Sequence, residues 1–227
     1  MSFTSDLPIL LNQEPVLSLS FQGALSGAVI NGELVGWLER IRRDSDWIEW
    51  SASQSYVHRN GFLKVVLAQS EQGRRLVWHS WATTVPDIDS EAHSHRWDFA
   101  SLVLRGGMRD HAFRELEGSE FAKYEYRSHR GLLQFQMRSA GRASLLPQEV
   151  VPIHELNVYA KHYSGIHKAE AEPGSETIVV QDSPAIDHTS VFVDSGSVSV
   201  VRRSVRGLSG QEIVDNTRGL LGRLASL

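Results

Sequence analysis

Two imidazoles separated by one residue, His93-Ser94-His95, are the side chains of this sequence best placed to do chemistry. In an extended strand, side chains at i and i+2 point to the same face. Such a pair is half of a site for a divalent first-row metal, which needs hard or borderline ligands converging from rigid elements. The triplet follows an acidic, strand-breaking stretch, Pro86-Asp87-Ile88-Asp89-Ser90-Glu91, and opens a run that reads as one strand ending at Gly106-Gly107. A third ligand must come from a distant strand that crosses the same interior. His167 is the best placed, just after Gly165 and at the start of an apolar strand; His162, five residues earlier, is the alternative. His58, His79, His111, His129, His154 and His188 have no second histidine at i+2.

Other side chains are candidates for substrate contact. Arg59, Arg75 and Arg96 could clamp a carboxylate, because a guanidinium meets a carboxylate as a bidentate fork. Tyr159 and Tyr163 flank His162 and could donate a hydrogen bond to a reacting oxygen. Arg75, Tyr159 and Tyr163 are therefore the catalytic candidates. Asp98 lies three residues past His95 and faces away from the pair in a regular strand; its expected role is that of a structural hydrogen-bond partner or of an orienter of a histidine N–H. Trp78, Trp81 and Trp97 are expected to fill or line the interior. No Gly-x-Ser-x-Gly elbow and no glycine-rich phosphate loop occurs.

These residues need a scaffold of strands. Trp47–Trp50 and Ser55–His58 read as strands, and Asn60-Gly61 as a turn. Phe62–Leu67 and Arg75–Trp81 flank Glu71-Gln72-Gly73 as a hairpin. Phe99–Leu104, Met108–Arg114, Tyr124–Arg127, Leu132–Arg138, Leu156–Lys161, Ile166–Glu170, Thr177–Gln181, Val191–Val193 and Val198–Arg202 continue the series. Leu7–Leu17 reads as an extended arm. Leu34, Val35, Trp37, Leu38 and Ile41 fit a short helix capped by Asn31 and ended by Asp44–Asp46. Near the end, Ser209-Gly210-Gln211-Glu212 is a capping box, and Ile213, Val214, Thr217, Leu220, Leu221 and Leu224 repeat at helical spacing. The reading is all-β: a closed barrel or jelly roll with a short N-terminal helix and a C-terminal amphipathic helix. It divides into an extension over 1–46, a barrel over 47–206 and a docked helix over 207–227, one domain overall.

Composition narrows the chemistry. A chain of 227 residues can bury a full core. It contains no cysteine, so thiolate ligands, disulfides and cysteine nucleophiles are excluded. The net charge of −4 gives no electrostatic case for nucleic acid or an anionic membrane. The start lacks a basic region followed by an apolar core, and no apolar run nears the ~20 residues of a membrane span. A soluble, cytoplasmic protein is expected.

His93-Ser94-His95, ten residues and then Gly106 resembles the first motif of the cupin superfamily, His-x-His followed by Glu and Gly. The glycine is in register, but Phe99 or Ala100 stands where the motif has Glu. That loss resembles the thiol dioxygenase branch, whose familiar member is cysteine dioxygenase and which binds Fe(II) on three histidines. Gly165-Ile166-His167-Lys168-Ala169 is similar to the Gly-Leu-His-Arg-Val context of that branch's third ligand. The resemblance implies a cupin double-stranded β-helix with His93, His95 and His167 as metal ligands. It departs from the branch in having no Tyr after His167 to complete a Ser-His-Tyr set, and in a longer stretch between the motifs.

The expectation is a mononuclear non-haem enzyme, an Fe(II)- and O2-using oxygenase or dioxygenase on a small polar or amino-acid-like substrate. One alternative is a redox-inert isomerase, lyase or hydrolase using Zn, Mn or Ni; another is a ligand-binding cupin without catalysis. Cupins often pair through edge strands, and the long apolar strands of this chain leave a homodimer open.

Overall fold

The computed structural model describes residues 14–58, 61–81, 91–128, 135–194 and 205–226. Arg59, Asn60, His129, the Pro86–Ser90 stretch, the strand read over Val198–Arg202 and the first part of the extended arm lie outside them.

The architecture follows from one nested pairing pattern. Among the twelve strands of the described residues, β3 (Arg75–Ser80) pairs with β10 (Glu176–Gln181), β4 (Ala92–His93) with β9 (Ile166–Ala171), β5 (Phe99–Arg105) with β8 (Val158–Lys161), and β6 (Met108–Ser128) with β7 (Phe135–Ile153). Each pair is antiparallel, and each encloses the next. This is a long hairpin folded back on itself. Successive rungs fall alternately in two sheets, which defines a double-stranded β-helix, or jelly roll. One sheet runs β12-β1-β2-β3-β10-β5-β8, with β1 at Tyr56–Val57, β2 at Leu63–Gln69 and β12 at Arg206–Gly207; the other runs β11-β4-β9-β6-β7, with β11 at Thr189–Asp194. The all-β expectation holds.

β6 and β7 account for the long interval between the two histidine segments. Met108–Arg114 and Tyr124–Arg127 are parts of one strand, whose edge pairs first with β9 and then with β11. Gly106 turns the chain into it at φ 75°, and a Cβ there would stand 2.5 Å from Ser175 Oγ, so only glycine fits.

The N-terminal region differs from expectation. It holds three helices: α1 (Leu19–Ile30), α2 (Glu33–Ile41) and α3 (Ser45–Gln54). Asn31 is the C-cap of α1, and Gly32, in the left-handed region, precedes α2. Asp44 opens a helix instead of ending one. Its Oδ1 accepts from Asp46 N at 2.9 Å and from Trp47 N at 3.2 Å. Trp47-Ile48-Glu49-Trp50 is thus helical, with Trp47 and Ser51 buried one turn apart. Trp47 Nε1 donates to Leu67 O at 2.9 Å, Ser51 Oγ donates to Val66 O at 2.8 Å, and Val66 N donates to Ser55 Oγ at 2.9 Å. β1 covers only Leu63 and Lys64 of β2's outer edge, and α3 satisfies the edge beyond them.

The helices pack on one face of the seven-stranded sheet. Val65, Leu67, Leu76, Trp78, Ala100, Leu102, Ile178 and Val180 meet Phe21, Leu25, Leu34, Trp37, Leu38 and Trp47 there. α4 (Gly210–Leu224) joins them through Ile213, Leu220 and Leu224. Its predicted capping box is present, Ser209 Oγ accepting from Glu212 N and Glu212 Oε2 from Ser209 N. Arg223 ties its end to the sheet, donating from Nε to buried Glu176 at 2.7 Å with its guanidinium over Trp78. Among the described residues, no helix is long and apolar enough to cross a membrane.

The opposite face of this sheet looks toward the second sheet. Cross-strand register sorts its side chains into three rows: Lys64–His79–Thr177–Val103, Val66–Val77–Val179–Ser101–Tyr159, and Gln69–Arg75–Gln181–Phe99–Lys161.

Candidate metal centre

β4 is only two residues long, and that brevity places its histidines. His93 sits between two partners, opposite Val191 on β11 and His167 on β9. Directly opposed residues share a face, so the His93 and His167 rings both look inward. The expected unbroken strand to Gly106 is interrupted over residues 94–98. His95 therefore lies beyond the strand and is held by other bonds. Ser94 N donates to Ser190 O at 2.9 Å, Ser190 N donates to Ser94 Oγ at 3.0 Å, and His95 N donates to Tyr163 O at 2.9 Å.

The three rings form a nearly equilateral triangle. Their centroids are 4.9 Å apart for His93 and His95, 5.0 Å for His93 and His167, and 5.0 Å for His95 and His167. One nitrogen from each lies within 4.8 Å of the others, and His95 Nε2 and His167 Nε2 stand 2.8 Å apart. Two imidazoles binding one ion at about 2.0–2.1 Å and at right angles would hold their nitrogens about 3 Å apart. The set fits a small divalent ion.

The outer nitrogens fix which atoms face inward. His93 Nδ1 donates to the Glu91 carbonyl at 2.8 Å, and His167 Nδ1 donates to Asp110 Oδ1 at 2.6 Å. A proton on Nδ1 leaves the lone pair on Nε2. Burial holds the His95 imidazole well below its ordinary pKa, and the neighbouring His93, His167, Lys64 and His79 lower it further, so this ring stays neutral and able to ligate.

Asp110 was not foreseen. It is 3% exposed, on β6, on the same inward face as Ala112, which opposes His167. Burial alone would raise its carboxyl, but the His167 hydrogen bond and the Lys161 ammonium outweigh that and hold it below the usual range. The Lys161–Asp110 ion pair joins the two sheets beside the triad. An acid between Met108 and Ala112 in a strand pattern was the available signal. Lys64, within the apolar run Leu63–Ala68, was a second such signal.

The other candidates scatter. His162 is 52% exposed and bonds Ser164 through Nδ1 at 2.8 Å, outside the triad. Asp98 Oδ1 accepts from Tyr163 N at 2.7 Å; it braces the turn that holds His95 and orients neither His93 nor His167. Tyr163 acts through its backbone while its ring packs on His162. Tyr159 packs edge-on against Phe99 at 5.7 Å, and burial raises its phenol pKa. Phe99, at the position of the expected Glu, lies 4.8 Å from the His95 ring and 6.0 Å from His167. Arg75 shares its row with Phe99, with Nε donating to Gln69 Oε1 at 2.8 Å. Trp97 is 6.3 Å from the His95 ring. Trp78 is on the helix-packed face, not in the interior.

No known family profile matches the chain, and no curated protein is similar to it in sequence. Among solved structures it overlaps Streptomyces albus HEPD with 2-hydroxyethylphosphonate and Fe(II) bound, at 9% identity and a TM-score of 0.31, over 55% of this chain and 22% of that one. It overlaps a Bacillus subtilis oxalate decarboxylase variant at 14% identity and a TM-score of 0.34, over 60% and 29%. Hydroquinone 1,2-dioxygenase from Sphingomonas sp. TTNP3 is similar at 8% identity and a TM-score of 0.34, over 53% and 65%. The chain spans less than two thirds of each of these proteins, and the overlaps are too slight to assign it a reaction.

Proposed function

We propose that this chain is a cupin-type, mononuclear metal-dependent enzyme, with His93, His95 and His167 as the metal ligands. The observation that carries this reading is the equilateral triangle of imidazoles, with Nδ1 of two rings committed to Glu91 and Asp110. Three ligands on one side leave the other side of an ion open to substrate, as catalytic sites require and closed structural sites do not. Fe(II) is the favoured metal, with an oxygenase or dioxygenase reaction; imidazole ligands suit iron, and Zn or Ni as well, whereas Mn ordinarily takes oxygen ligands. When bound, iron would supply electrons to O2, whereas a redox-inert ion would supply Lewis acidity.

The chain's own part is positioning and exclusion of water. Glu91 and Asp110 hold the rings in one tautomer. Phe99, whose ring lies against His95 and His167, packs with Val66, Val77 and Val179 in one apolar cluster. Tyr159 keeps its proton at neutral pH and so is able to donate toward a substrate oxygen. A substrate that fits among these side chains is small.

Metal analysis of protein expressed in iron-replete medium tests the reading. The expected result is close to one transition metal per chain, lost in the His93→Ala/His95→Ala double variant. Wild-type protein without metal, and without rebinding of Fe or Zn, would overturn it. For the choice of reaction, iron content with substrate-dependent O2 uptake supports the oxygenase; turnover under argon with a redox-inert metal supports the alternative.

A further inference from the structure

The inner face of the seven-stranded sheet carries cations where a protein core ordinarily carries none. Lys64 is 7% exposed. Its ammonium lies 5.5 Å from the Trp97 ring centre and 5.7 Å from that of Tyr56. The Arg96 guanidinium lies 4.8 Å from the same Trp97 ring. Arg75 projects from the same face, from the row that contains Phe99.

Among the described residues, no carboxylate bonds any of the three. Arg75 donates only to the neutral amides of Gln69 and Gln54. Asp187, which attracts Arg96, is 68% exposed and already bonded to Arg127 and His188. Buried cations are normally paired, because desolvating an unpaired charge is costly. Burial, with Arg75 and Arg96 nearby, pushes the Lys64 amine down to about 7. Polar atoms beside the cluster also lack partners. His79 Nε2 and Thr177 Oγ1, in the same row as Lys64, and Trp97 Nε1 are buried without a hydrogen bond. Cations and donors converging without protein acceptors describe a site whose acceptor comes from outside.

We propose that the substrate is a small organic acid whose carboxylate is held among Lys64, Arg75 and Arg96 beside Trp97, with its reacting end toward the three histidines. The orientation rests on the metal-site reading; the anion site does not. The guanidinium forks suit a planar carboxylate. Trp97 links the two regions, with Lys64 and Arg96 about its ring and His95 6.3 Å away. The valines of the middle row limit the acid's size.

Calorimetric titration of the full chain with succinate and with its neutral diamide, succinamide, tests the site, with metal content measured on each sample. Succinate should bind at least ten-fold more tightly than succinamide. Lys64→Met, Arg75→Gln and Arg96→Gln should each weaken it at least ten-fold without altering metal content, and Arg75→Lys, which keeps the charge but loses the fork, should weaken it less than Arg75→Gln. No binding by the wild type, equal binding of the diamide, or equal affinity across the variants overturns the proposal. Cluster-dependent binding by a protein that holds no metal would uphold the anion site and remove the metal reading. A metal-loaded protein whose succinate binding ignores the cluster would do the reverse.

Discussion

Asp110 and His167 meet in a 2.6 Å hydrogen bond from adjacent strands, both almost fully buried. The carboxylate fixes the imidazole proton on Nδ1 and turns Nε2 toward the other two histidines. Replacing it with Asn keeps the volume but removes the charge and allows the ring to turn. Asp110→Asn should lower metal affinity about 10–100-fold. Competition with a chromophoric chelator measures this, and equal affinity would show that Asp110 serves only the Lys161 pair.

The same carboxylate predicts an acid sensitivity. Its pKa is lower in the folded protein than in the unfolded chain. The folded state therefore binds fewer protons between the two values, and stability falls as pH falls through that window. Above the ordinary value of 3.8 the contribution is fully present. Wild type should be more stable than Asp110→Asn at pH 6, and the gap should close as pH falls below the ordinary carboxylate range. Thermal melts across pH 2.5–6 measure it; a gap independent of pH would point to geometry rather than charge.

The third ligand is decided between two histidines five residues apart. His167 is buried and opposite His93, whereas His162 is half-exposed and bonded to Ser164. His167→Ala should abolish stoichiometric metal binding and His162→Ala should leave it intact. The reverse outcome would require β9 to shift register, because a one-residue slip turns His167 away from the interior.

What was legible in the sequence had a local cause. His-x-His, the turn at Gly106 and the Ser209–Glu212 capping box each announce themselves over a few residues, and each is present. The nested strand pairing was not legible, because register depends on contacts between segments far apart in sequence. The helical region was misread for a specific reason. In α1 apolar residues point outward as well as inward, Leu19 being 85% exposed and Ile30 61%, so no stripe stands out. In α3 two tryptophans and an isoleucine suggested a strand, and Asp44 read as the end of a helix; the structure makes Asp44 an N-cap, and tertiary packing of Trp47 and Ser51 settles the segment as helical. Asp110 and Lys64 were passed over because each is a single charge inside a strand pattern, and only the fold shows what each one faces.

Metal should also stabilise the fold. The proposed ligands come from β4, β9 and the segment after β4, and β4 is held by only two paired residues. An ion shared by three histidines binds the folded chain far better than the unfolded one. At a free concentration of 100 times Kd it should add about 2.7 kcal/mol. Stripping with a chelator should therefore lower the midpoint of thermal unfolding, and Fe(II) or Zn should restore it. The His93→Ala/His95→Ala variant should respond to neither; a response there would place the ion elsewhere.

Lys64 gives the last prediction, and its sign is opposite to that of a paired lysine. In the unfolded chain the amine keeps its proton up to about 10.5, but in the folded protein only up to about 7. Between those values the unfolded state binds more protons, so stability rises with pH. Below pH 7 the charged amine is buried without a counter-ion, and the full cost is borne. Lys64→Met keeps the length of the side chain and removes the charge. It should be more stable than the wild type near pH 7, by about 4 kcal/mol. The difference should shrink as pH rises toward 10.5. Urea unfolding of both proteins at pH 7 and at about pH 10 measures it. A variant less stable than wild type at pH 7 would mean that the ammonium is compensated in the folded protein, and the cation would then have no need of an external anion.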